Sequence, residues 1–154
     1  MLSDNCYFPE GSGHLMMKKL GERVNSLAPI DFVGLTLTND NKIQLSGLKI
    51  TENELINCGA NKNIIAMDDF GVILNKNSPL KIDPLLGCHN FATDLCIQAF
   101  LSDELGNGEV IDIPIFHNKY DFDEKLQYLN SAERLRRKWK KLPKIETMQG
   151  TIAN

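Results

Sequence analysis

Apolar positions along the chain switch between two spacings, one matching a helix and one matching a strand. Leu20, Val24 and Leu27 fall at i, i+4 and i+7, with Met16 or Met17 a turn earlier. That predicts a helix over 14–27, capped by Ser12, weakened by Gly21 and stopped by Pro29. Ile30–Leu37 then alternates, with Val33, Leu35 and Leu37 on one face, and Ile43–Ile50 returns after the polar turn 38–41. This predicts a hairpin. Thr51 and Glu54 fit a capping box, flanked by Ile50 and Leu55 as a hydrophobic staple, so a short helix ending at Gly59 is expected.

A second hairpin is predicted from Ile64–Met67 and Val72–Leu74, turning at Asp68-Asp69-Phe70-Gly71. After a proline-containing loop to Gly87, a second helix is expected over 90–102, with Asn90 as its cap. It is apolar nearly all round, and only Asp94, Gln98 and Ser102 form a polar stripe, so it should be packed on most sides. Leu105–Gly108 reads as a turn. Val110–Phe116 reads as a strand, with Pro114 arguing for an edge position. Helical spacing resumes over 121–142 through Phe122, Leu126, Leu129, Ala132, Leu135, Trp139 and Leu142, with a break expected at Asn130-Ser131 and a stop at Pro143.

These elements predict an α+β fold: a single domain over 14–142, between an irregular arm, 1–13, and a loose tail, 143–154. Its sheet is antiparallel, of about five strands, with helices mainly on one face. In element order alone this resembles the small sensor domains of the PAS and GAF kind, without signature residues of either family.

Charge sharpens the picture. The 154 residues carry a net charge of −3, but unevenly. Residues 1–130 hold 18 acids and 10 bases, a net of −8; residues 131–154 hold 2 acids and 7 bases, a net of +5. The four cysteines (Cys6, Cys58, Cys88, Cys96) form no C-x-x-C pair, and His14, His89 and His117 are far apart, so neither a structural zinc site nor a cofactor is expected. The first 13 residues lack the basic and apolar regions of a secretory signal, and no apolar run is long enough for a membrane span. A soluble, cytoplasmic protein with reduced thiols is the expectation.

Three groups of residues could carry chemistry. Cys88 precedes the helix at Asn90, where free amides and the helix dipole favour a thiolate. With His117 as base and Asp112, Asn118 or Asp121 orienting it, Cys88 would be a nucleophile, and the amides at the Asn90 helix start would hold the oxyanion. The arrangement loosely resembles papain-like and amidase folds. The second group is Arg134, Arg136, Arg137, Lys138, Trp139, Lys140 and Lys141, continued by Lys144. Such a basic amphipathic helix suits a protein partner, nucleic acid or an anionic surface, or simply complements the acidic remainder of the chain. The third is the acidic set Asp68, Asp69, Asp121, Asp123 and Glu124, which lacks the order of a calcium loop. Asp121 or Asp123 is expected to cap the last helix, and Asp69-Phe70-Gly71, despite its likeness to the kinase metal motif, is expected to be a hairpin turn.

The favoured expectation is a non-enzymatic regulatory or sensor module. It would hold a small apolar ligand, signal to a partner through residues 134–144 and dimerise through the 121–142 helix. An inhibitor or adaptor, and a hydrolase or transferase built on Cys88, are the alternatives.

Overall fold

The computed structural model describes residues 6–21, 30–31, 33–37, 42–51, 55–59, 62–69, 71–74, 78–102, 108–110, 116–117 and 125–153. The strands are β1 (Cys6–Tyr7), β2 (Ile30–Asp31), β3 (Val33–Leu37), β4 (Ile43–Thr51), β5 (Leu55–Gly59), β6 (Lys62–Met67), β7 (Val72–Ile73), β8 (Gly108–Val110), β9 (Phe116–His117), β10 (Lys144–Thr147) and β11 (Gly150–Ala153). The helices are α1 (Ser12–Gly21), α2 (Phe91–Phe100) and α3 (Lys125–Lys138), with a short 3-10 turn at Pro84–Leu86. The chain is thus a small mixed α/β domain with three helices among the described residues.

The first hairpin forms with Leu37 opposite Ile43. The expected capping-box helix does not: Leu55–Gly59 is instead a strand, β5, antiparallel to β4. A capping box contributes about 0.5–2 kcal/mol, and a helix this short is marginal. A full ladder against a nine-residue strand outweighs both. The second expected hairpin is also corrected. β6 pairs with β3 on one edge and β8 on the other, so β7 has no free edge of β6 to join and pairs with β2. The strand expected over 110–116 is two separated pieces: β8 joins β6 and β2, whereas β9 joins β1 and β4. Two of these pairings, β2 with β8 and β4 with β9, are parallel.

Ile64, Ala66 and Met67 of β6 are buried, together with Val72, Val110 and most of α2. α2 follows the expected boundaries closely and is buried from Phe91 to Ile97. α1 starts two residues early, with Ser12 inside its first turn after Gly11 at φ +84°; the rest of its expected span and Pro29 lie outside the described residues. α3 runs through Asn130-Ser131 without the expected break.

The segment expected to be a loose tail is a two-stranded hairpin, β10 with β11, in which Ile145 faces Ile152. Thr147 and Gly150 pair across a two-residue turn, and Gly150 sits at φ +128°, a conformation that glycine adopts without strain. The Thr147 hydroxyl donates to the Gly150 carbonyl at 2.7 Å and accepts from the Gln149 amide at 3.2 Å. Ile145 is 3% exposed and joins the core cluster containing Leu95 and Leu135. Among the described residues, no helix is long and apolar enough to cross a membrane.

Ile145→Ala is expected to cost about 2–4 kcal/mol in urea denaturation. A loss under about 0.5 kcal/mol would show that the hairpin is not part of the core.

Candidate functional site

The polar groups of the described structure concentrate on the seam between α2 and α3. Asp94, in the first turn of α2, is fully buried. An isolated carboxylate there would lose far too much hydration, so its oxygens are all taken. Oδ2 accepts from Lys138 Nζ at 2.7 Å and Gln98 Nε2 at 2.8 Å, and Oδ1 accepts from Trp139 Nε1 at 2.7 Å. The Lys138 ammonium lies 5.6 Å from the centre of the Trp139 ring and 3.7 Å from Asp83 Oδ2. Gln98 also spans outward, donating to the Lys81 carbonyl and accepting from its amide.

Asp83 is a second anchor. Its side chain caps the 3-10 turn by accepting from the Leu85 amide at 3.0 Å, with Pro84 at the first position, where no amide is needed. The same carboxylate receives Arg134 Nε at 3.1 Å and Nη2 at 3.0 Å. Burial pushes its pKa up, but the Leu85 amide and the Arg134 guanidinium more than offset this and hold it below the usual carboxylate range.

At the start of α2, Asn90 holds the cap position in the left-handed region (φ 59°), and its side chain does not cap the helix. That corrects the expected role of Asn90. The cap is Asp69, whose carboxylate accepts from the Asn90 amide at 2.6 Å and the Ala92 amide at 2.9 Å. Asn90 Nδ2 turns instead to Ser131 Oγ at 3.2 Å, and Ser131 donates to the His89 carbonyl at 2.5 Å. His89 also meets the Tyr128 ring edge to face at 6.2 Å. Burial raises the Asp69 carboxyl to about 6, against the lowering effect of the two amides and His89.

The residues expected to carry chemistry are distributed as follows. Cys88 is exposed on the turn before α2, with Sγ 3.7 Å from Gln127 Oε1. His117 lies in β9, its backbone opposite Cys6 and Thr51. Asp112, Asn118, Asp121, Asp123 and Glu124 lie outside the described residues. The helix-start amides proposed for an oxyanion are engaged by Asp69.

The basic helix divides by direction. Arg134, Lys138 and Trp139 face inward onto Asp83 and Asp94. Arg136 and Arg137 share Glu133 at 2.8 and 2.6 Å, which holds that carboxyl down at about 2. Lys140 and Lys141 are exposed, and Lys144 pairs with Glu146 at 2.9 Å. Leu126 and Leu129, two positions of the apolar spacing that predicts this helix, are 69% and 51% exposed. The face that docks runs through Tyr128, Ser131, Leu135 and Lys138 to Trp139 and Leu142, so the apolar spacing marked Leu135, Trp139 and Leu142 and left its polar members unmarked. Sequence reasoning also missed Asp83 and Gln127, and it singled out Asp69 and Ser131 without finding their partners. The one available signal was Asp94, a charge in a helix otherwise bound for the core, which demands a countercharge.

Asp94→Ala strands Lys138 and Trp139 and is expected to cost about 3–5 kcal/mol, whereas Arg137→Ala should stay within about 0.5 kcal/mol; urea midpoints decide. For Asp69, the folded pKa of about 6 exceeds the ordinary 3.8. Between those values the folded chain keeps a proton that the unfolded chain releases. Its contribution is therefore complete below about pH 4 and is lost as pH rises through 6, by at most about 3 kcal/mol. Asp69→Asn is expected to flatten stability over that window, and an unchanged pH profile would contradict the assignment. No family model matches the chain, and no curated protein is significantly similar to it.

Proposed function

We propose that this chain is a non-enzymatic regulatory or sensor module that signals to a protein partner through α3 and the basic turn after it. The observation that supports this most is the anchoring of α3. Its C-terminal end is bound to α2 through the buried Asp94, while Arg137, Lys140 and Lys141 stay on the outside. α2 is packed in the core on nearly every side, so a change in the core that shifts α2 carries the end of α3 with it. Coupling of this kind needs a packed element with two arrangements, which a ligand-dependent core supplies.

In this reading the domain is α+β with a PAS/GAF-like outline, its helices lying mainly on one face of the sheet. It takes a small apolar ligand beside α2 and works in the cytoplasm. An adaptor or inhibitor without a ligand would use the same surface. The Cys88 hydrolase reading draws less support, because Asp69 occupies the amides it would need.

Reversing both Arg137 and Lys140 to glutamate is expected to abolish capture of the partner while leaving circular dichroism and melting near native. Arg134→Glu, which attacks the Asp83 anchor, is expected to lower the melting temperature instead. Undiminished capture by the double reversal would refute the docking role of α3.

A further inference from the structure

We propose that the outward face of α3 binds an acidic amphipathic helix of a partner protein, with Leu126 and Leu129 as apolar anchors and Arg137, Lys140 and Lys141 as its charge partners. This rests on the reading of α3 as the docking element and adds the face and the partner's chemistry.

The two leucines lie one turn apart, and the same stripe continues at three- and four-residue steps through Glu133 and Arg136/Arg137 to Lys140. None of these side chains is needed to hold the helix, because Tyr128, Ser131, Leu135 and Lys138 face the other way and make the contacts with the domain. Two large apolar side chains left mostly in water on one helix face are the anchors that a helix-on-helix contact uses.

The charge of the face selects the occupant. Among the described residues, Lys125, Arg136, Arg137, Lys140 and Lys141 are set against one carboxylate of this face, Glu133, which Arg136 and Arg137 already engage. A second copy of this face would bring like charges together, so self-pairing is disfavoured. An interfacial membrane helix needs a broad apolar face, and two leucines give a narrow one. A helix with leucines at three- and four-residue steps, flanked by glutamates, matches both the apolar and the cationic parts of the stripe. Burial at the leucines would supply affinity, and the charges would supply orientation and association rate.

The test uses the full chain and a labelled synthetic peptide of about 20 residues, long enough to be helical, with leucines at those steps and glutamates between them. Fluorescence anisotropy is expected to show binding that weakens with added salt. Binding should weaken at least tenfold, about 1.4 kcal/mol, when the peptide leucines become glutamine, when Leu126 and Leu129 become serine, or when Arg137 and Lys140 become glutamate. Circular dichroism confirms that each variant is folded. The proposal is overturned if the peptide does not bind or binds the serine and glutamate variants equally well. It is also overturned if sedimentation shows that the serine variant loses a native dimer, or if anionic phosphatidylglycerol vesicles bind the leucine face in place of the peptide. Failure of the peptide alongside charge-dependent partner capture removes this proposal and leaves the docking role of α3 standing. Peptide binding without charge-dependent capture does the reverse.

Discussion

The folded arrangement depends on one buried carboxylate being fully satisfied. Asp94 sits where water cannot reach, and its two oxygens are filled by an amine, an indole and an amide drawn from two helices. The consequence is geometric. Lys138 and Trp139 must arrive together at one point on α2, which fixes both the rotation and the axial position of the end of α3. An apolar seam of the same area would tolerate sliding by a turn. A seam built on this carboxylate does not, because a shifted α3 would leave the charge unsatisfied. Asp83 and Arg134 repeat the device one turn earlier and extend it to the 3-10 turn.

This arrangement also accounts for the uneven charge along the sequence. The basic segment sits among acids supplied by the rest of the chain. Much of its charge is spent on them: Arg134 on Asp83, and Lys138 on Asp94 and Asp83. What remains outward is a smaller set of cations next to two uncovered leucines.

The legible and illegible parts of the fold separate on the same physical ground. α2 was readable because its apolar residues run all round and admit only a core position. The first hairpin was readable because alternation and a polar turn agree. At Thr51-Glu54 a genuine local signal pointed to a helix, yet Leu55–Gly59 pairs with β4, since neighbouring strands offer more than a cap. At 144–153 the alternation is short, and its buried face is only Ile145 and Thr147, too brief a pattern to stand out beside a proline and a lysine. The inward face of α3 was legible at Leu135 and Trp139 but not at Ser131 and Lys138, whose polar side chains carry no hydropathy signal. Within the candidate site, Arg136, Arg137, Lys140 and Lys141 were identified from charge alone, but their division from Arg134 and Lys138 needed the partners in space. Asp69 was invisible as a helix cap because it lies 21 residues before the helix it caps.

That distance in sequence has its own consequence. Helices usually carry their N-terminal cap within the adjoining residue or two and can begin to form alone. The start of α2 instead borrows its cap from just beyond β6, and its own Asn90 is turned away toward Ser131 of α3. An isolated peptide spanning α2 would therefore lack a proper beginning. The cap on its first turn exists only where the β6 strand end lies against it, so the start of α2 draws part of its stability from the sheet rather than from its own sequence.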